Sequence, residues 1–273
     1  MILNSLFSAL FRFFKKVAPA ATFSDRNPVI LTSEQRNRTC KPAEKERSVM
    51  KKGLTEVVFI LDRSGSMGGL ENDTIGGFNS MIKKQKKEPG EALISTVLFD
   101  DQTEILHDRK PLSEIGLMTD KEYYVRGCTA LLDAMGGAIS HVKKVRKAMP
   151  KEERPEKTLF IITTDGMENS SSHYTYPRVK HLIEKQQKKH HWEFVFLGAN
   201  IDAIACAGKL GIRKERAVNY EHDGKGTKLQ WKAMGAMMSC ARSAESDMDL
   251  GAAIDSNDFL AEVREDYKKR HRA

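Results

Sequence analysis

Residues 57–67 read Val-Val-Phe-Ile-Leu-Asp-Arg-Ser-Gly-Ser-Met, an apolar run that stops abruptly at Asp62, Ser64 and Ser66. The three oxygen-bearing side chains occupy alternate positions where a buried strand meets solvent. One carboxylate and two hydroxyls suit a hard divalent cation such as Mg²⁺, which takes oxygen ligands at short, near-octahedral distances. Two other segments could serve the same point. Gly-Cys-Thr-Ala-Leu-Leu at 127–132 puts Thr129 behind a glycine turn at the mouth of a helical pattern. Thr-Leu-Phe-Ile-Ile-Thr-Thr-Asp-Gly at 158–166 is a second apolar strand, and it ends in Asp165. Taken singly, the aspartates are ordinary turn formers and Thr129 a helix cap. Together they make a candidate metal site of Asp62, Ser64, Ser66, Thr129 and Asp165.

Such a site needs elements that bring three distant segments to one place. From Leu54 onward strand and helix patterns alternate, as in a doubly wound α/β fold with a mostly parallel sheet. The strands are expected at Val57–Leu61, Leu93–Phe99, Thr103–His107, Leu159–Thr163 and Glu193–Leu197. Asp100-Asp101-Gln102 is short enough for a hairpin, so one edge strand is expected to be antiparallel. Helix faces are marked by Ile75, Phe78, Met81 and Ile82, by Leu131, Met135, Ile139 and Val142, and by Val179, Leu182, Ile183 and Gln186. A further helix starts near Ile201 and runs to Leu210. Beyond Gly211 the pattern weakens to one helix at Thr227–Ala244 and a charged terminal helix or tail at Phe259–Arg272. In an open parallel sheet the loops at the carboxyl ends of the strands converge on one crevice, which is what the five residues require.

The succession Asp-x-Ser-x-Ser, Thr, Asp resembles the metal-ion-dependent adhesion site of von Willebrand factor A domains. The resemblance covers about residues 54–210, fills all five positions and looks closest to small stand-alone bacterial members. It implies a Rossmann-like fold holding Mg²⁺ or Mn²⁺. In that family the hydroxyls bind the metal directly and the acids often act through bridging water. The cation is then under-neutralised and invites an aspartate or glutamate from a protein partner. The resemblance thus implies an intracellular, metal-dependent protein-binding module and no enzyme. An alternative is a metal-dependent phosphoryl hydrolase on the same crevice, because a bound cation could also polarise a phosphate. Asp62 is a formal nucleophile for it, but Asp-x-Ser-x-Ser lacks the second acid of Asp-x-Asp phosphatases.

Composition narrows the classes. A chain of 273 residues with 40% apolar content can bury a substantial core. Its mean hydropathy of −0.49 and the lack of any long apolar run exclude an integral membrane helix protein. Four scattered cysteines without a Cys-x-x-Cys pair suit free thiols in a reducing cytoplasm. The first 49 residues hold nine Lys/Arg and four acids and so carry +5 of the net +8. A nucleic-acid-binding face is therefore not expected on the remainder, and no small-molecule cofactor is indicated. Lys83, Lys84, Lys86 and Lys87 suit a helix C-terminus.

Three parts are expected along the chain: a basic amphipathic segment with a linker at 1–49, the binding domain at 50–220, and a helical extension at 221–273. Leu3, Leu6, Phe7, Leu10, Phe14 and Val17 form one helical stripe ahead of a proline-broken polar stretch, with Met50 a second plausible start. Membrane contact, and with it a membrane-tethered binding domain, is expected only if residues 1–17 are retained. Lesser candidates are Glu168 and Asn169 at the rim, Asp133 at a helix N-terminus, and Gly198–Asp202 as a capping loop. Asp223–Thr227 lacks the upstream glycine of a phosphate loop. The eight histidines show no zinc-ligand spacing, and Cys128 reads as a small packing residue.

Overall fold

The computed structural model describes residues 50–271. The segments expected at 1–17 and 18–49 lie outside the described residues. In chain order the elements are β1 (Lys51–Asp62), α1 (Glu71–Gln85), β2 (Ala92–Phe99), β3 (Thr103–Pro111), α2 (Leu131–Ala148), β4 (Pro155–Thr164) and α3 (Tyr176–His190). They continue with β5 (Glu193–Gly198), α4 (Ala203–Lys209), β6 (Ala217–Asn219), α5 (Gly224–Ser243), α6 (Asp247–Ser256) and α7 (Ala261–Arg270). The six strands form one sheet in the order β3-β2-β1-β4-β5-β6. Every neighbouring pair is parallel except β2 and β3. The expected class, a doubly wound, mostly parallel sheet with one antiparallel edge strand, is the fold observed.

The centre of the sheet is apolar on both faces because helices cover both. Val57, Phe59 and Leu61 of β1 face α1, α5, α6 and α7 through Phe78, Met234, Leu250 and Val263. Val58 and Ile60 face α2, α3 and α4 through Met135, Ile139, Ile183 and Ala207. Residues 221–273, expected as a helical extension, thus supply most of the cover on one face. Phe78 meets Phe59 and Trp231 edge-on, at centroid distances of 6.2 and 5.9 Å, the favoured arrangement for aromatic pairs. Trp231 lies so close to α1 that a Cβ on Gly77 would fall 2.1 Å from its ring. Glycine is what lets these two helices approach.

Several boundaries differ from those read in the sequence. β1 begins at Lys51 because its exposed first three residues still run along β4, where Lys51 pairs with Pro155 beside an irregularity in register. β3 runs on to Pro111 past two register shifts. β6, three residues long, and α6 were not foreseen. Among the described residues, no helix is long and apolar enough to cross a membrane.

The register sets up the crevice. Asp62 pairs with Phe99, Leu61 with Thr163 and Thr164 with Gly198. β1, β2 and β4 therefore end at one level, and an aspartate stands at or just past each end: Asp62, Asp100 and Asp165.

Candidate metal centre

The structure gathers the five residues expected from sequence. Thr129 Oγ1 donates to Ser64 Oγ at 3.1 Å, Ser64 Oγ and Ser66 Oγ share a hydrogen bond at 3.0 Å, and Ser66 Oγ donates to Asp165 Oδ1 at 2.6 Å. Asp62 closes the group from behind. Its Oδ1 accepts from the Ser64 amide at 2.7 Å and its Oδ2 from Thr164 Oγ1 at 2.5 Å. Asp62, Ser64, Thr129 and Asp165 are buried, and Ser66 opens to solvent. The cluster is a row of oxygens lying below the surface and open to solvent at Ser66.

Backbone and outer side chains fix this row. The Tyr123 hydroxyl donates to the Asp62 carbonyl at 2.6 Å, and the Gly65 amide to the Gly127 carbonyl at 3.2 Å. Asn169 clamps Thr129 from both sides: its Oδ1 accepts from the Thr129 amide and its own amide donates to the Thr129 carbonyl. Glu168 accepts from the Leu132 amide in the first turn of α2 and from the amides of Ser170 and Ser171. Asp133 accepts from the amides of Ser172, His173 and Tyr174. These three residues, read as rim or helix-terminus candidates, thus shape the loop that presents Thr129 and Asp165. Asp202 caps α4 by accepting from the Ala205 amide, and Asp223 caps α5 by accepting from that of Gly226. Cys128 is exposed, which corrects its reading as a packing residue: the loop turns its side chain outward while Thr129 turns in.

Three buried aspartates at one level differ in their partners. Asp100 accepts from Arg63 Nε at 2.9 Å and Arg126 Nε at 2.7 Å, and from the Gln102 amide. Burial pushes its carboxyl up, but Arg126, the Gln102 amide and Arg63 hold it below the ordinary value. Asp62 has hydroxyl and amide donors and no cation. Burial raises its carboxyl from 3.8 to about 6, against the pull of Thr164 and Ser64. Asp165 is likewise raised by burial, opposed by Ser66 and His222. Removing a carboxylate from water without a countercharge is costly, and its pKa rises in response.

Several features fit a divalent cation. Asp165 Oδ2 is buried, and among the described residues the one polar side chain that pairs with it is His222, at 2.9 Å. A Cβ on Gly166 would lie 3.0 Å from Thr129 Oγ1 and 3.1 Å from Ser66 Oγ, so glycine keeps the hydroxyls uncovered. Adjacent ligands of an octahedral ion with bonds of about 2.1 Å stand about 3.0 Å apart. The hydroxyl separations of 3.0 and 3.1 Å have that spacing, which also lets the hydroxyls bond to one another. Among the described residues, no group of three or more His, Cys, Asp or Glu side chains is placed to hold a metal. A cation here therefore depends on the serines and threonine.

Sequence reading missed Thr164, Tyr123, Arg63 and His222. Arg63 occupies the first variable position of Asp-x-Ser-x-Ser and is fully buried between Asp100 and Glu104. His222 Nε2 comes within 2.9 Å of Asp165 Oδ2. Thr164 could have been suspected as a hydroxyl beside Asp165. No spacing rule points to His222, which follows the three-residue β6.

No family model and no curated protein sequence matches this chain. Solved structures that align with it include proximal thread matrix protein 1 from the mussel byssus, at 15% identity and a TM-score of 0.46 over 70% of this chain. The manganese-loaded Plasmodium vivax TRAP protein aligns at 18% identity and a TM-score of 0.44, covering 64% of this chain and 71% of that one. A von Willebrand factor type A structure from Catenulispora acidiphila aligns at 13% identity and a TM-score of 0.43, covering 70% and 43%. The chain spans 47% of the mussel protein's length. Alignments this loose carry no inference about the site.

Proposed function

We propose that this chain is a metal-dependent protein-binding module. Ser64, Ser66 and Thr129 would hold a divalent cation, Mg²⁺ or Mn²⁺, with Asp62 and Asp165 supplying the negative charge. When bound, the cation offers a Lewis-acidic position that an exposed carboxylate of a partner protein can complete. The observation that carries this reading is the contrast among the three aspartates. Among the described residues, Asp100 has two guanidinium partners, whereas Asp62 meets only neutral hydroxyl and amide donors, and Asp165 meets Ser66 and His222 but no guanidinium or ammonium group.

The chain's own residues prepare the site. Thr164 and the Ser64 amide orient Asp62, Asn169 fixes Thr129, and Gly166 keeps the opening clear. Both oxygens of Asp62 are engaged as acceptors, which favours a structural role over nucleophilic attack. This supports binding rather than turnover, with neither nucleic acid nor an organic cofactor involved. The free thiols Cys128, Cys206 and Cys240 support a reducing, cytoplasmic setting.

The test is capture on immobilised full-length protein. Partner retained in Mg²⁺ or Mn²⁺ should be released by EDTA and should not be held by Asp62→Ala or Asp165→Ala. Undiminished capture in EDTA or by both variants would contradict the reading.

A further inference from the structure

His222 reaches the centre from a part of the chain that the five oxygen donors do not use. After β6 the Tyr220 amide continues the ladder to the Gly198 carbonyl, with the Tyr220 side chain buried below. Two residues later Asp223 caps α5. Glu221 is tied to His271 Nε2 at 2.9 Å, and Asp223 to Arg270. The segment that carries His222 is thus anchored on both sides and not free to swing. Its Nε2 is buried and lies 2.9 Å from Asp165 Oδ2. The two atoms pair with each other, and neither has another partner among the described residues.

Two donor atoms with no partner but each other, one imidazole nitrogen and one carboxylate oxygen, therefore stand side by side at the end of the oxygen row. Their separation matches the edge of about 3.0 Å between adjacent ligands of a six-coordinate ion with bonds of about 2.1 Å. We infer that His222 Nε2 is a further ligand for a cation bound through Asp165, and that it biases the site toward Zn²⁺ or Co²⁺ over Mg²⁺. The inference rests on the metal-binding reading of Asp165 given above. Its chemical reason is ligand type. Mg²⁺ favours carboxylate, carbonyl and water oxygens, whereas imidazole suits later first-row metals, whose affinities also rise along the series. A ring anchored beside the carboxylate adds a nitrogen donor at little ordering cost.

The test compares metal affinities of metal-stripped full-length protein with those of His222→Gln and His222→Ala. Zn²⁺ and Co²⁺ affinity should fall at least about tenfold in both variants, while Mg²⁺ affinity stays within about threefold. A second readout is independent of affinity: on Zn²⁺ addition to the wild-type chain, the ¹⁵N resonance of His222 Nε2 should move to a metal-bound position. Equal losses for Zn²⁺ and Mg²⁺, with an unmoved Nε2 resonance, would show that His222 merely braces Asp165 and would overturn the inference. So would unchanged affinities for every metal. Failure of the wild-type chain to bind any divalent cation would remove the metal-binding reading itself, which separates the two claims.

Discussion

Just past the end of β2 stands a buried aspartate, and the neighbouring β1 ends in another. Behind β2, Asp100 accepts from Arg63 and Arg126, and both guanidinium groups also lie over the Tyr124 ring, at 5.3 and 5.5 Å. That region is complete within the chain: the anion has its cations, and the cations have an aromatic face. Behind β1 and β4, Asp62 and Asp165 are as deeply buried, but serine, threonine and amide donors surround Asp62, and Asp165 has Ser66 and His222. The same fold position thus carries one carboxylate held by two guanidinium groups and two that have none among the described residues. The difference teaches that burial alone does not mark a binding site. Burial without a guanidinium or ammonium partner is the feature on which the proposed site rests.

The largest expected effect comes from breaking the complete region. Arg63→Met would leave Asp100 with only the half-exposed Arg126 and would strip Glu104 of its partner. Removing one member of a buried ion pair typically costs about 3 kcal/mol or more. Urea unfolding should show a loss of that order whether or not Mg²⁺ is present. A loss under 1 kcal/mol would mean that Arg63 is not the charge partner that distinguishes the two regions.

Asp62 should respond in the opposite sense. Its carboxyl lies near 3.8 in an unfolded chain and about 6 here. Folding therefore favours the protonated form. The associated stability is present below about pH 4 and lost as pH rises through 6. A shift of this size corresponds to about 3 kcal/mol. Metal-free Asp62→Asn should accordingly be more stable than wild type at pH 7.5 by about 2–3 kcal/mol, and the advantage should vanish near pH 4. Thermal unfolding in EDTA at the two pH values checks this. A variant less stable than wild type at pH 7.5 would show that the metal-free site already holds its charge comfortably.

The division between regions also accounts for what could be read in the sequence. The ends of β1 and β4 were legible because each is a run of buried Val, Ile, Leu or Phe that stops at a polar residue. Thr129 was legible because it precedes a periodic helix. The fold class followed from the alternation of such runs. The partners of the buried aspartates were not legible. Arg63 looks inert between Asp62 and Ser64, and its burial depends on Asp100 and Glu104, brought over by β2 and β3. His222 comes from 57 residues beyond Asp165, by way of β4, β5 and the very short β6. Spacing rules register neighbours along a chain, and these partners are neighbours only across strand ends.

A smaller effect sharpens the comparison. Thr164→Val removes the hydroxyl that donates to Asp62 Oδ2 while keeping its shape. Loss of such an outer partner should lower Mg²⁺ affinity by about tenfold without altering the far-ultraviolet circular dichroism spectrum. An unchanged affinity in a Mg²⁺ titration would mean that Asp62 needs no support to serve the cation.

The most direct measurement is calorimetric titration of Mg²⁺ and Mn²⁺ into metal-stripped full-length protein, with Asp165→Ala alongside. The expected result is binding at one site in the wild-type chain and none in the variant. No binding in wild type, or equal binding in the variant, would contradict the claim that these buried carboxylates await a cation.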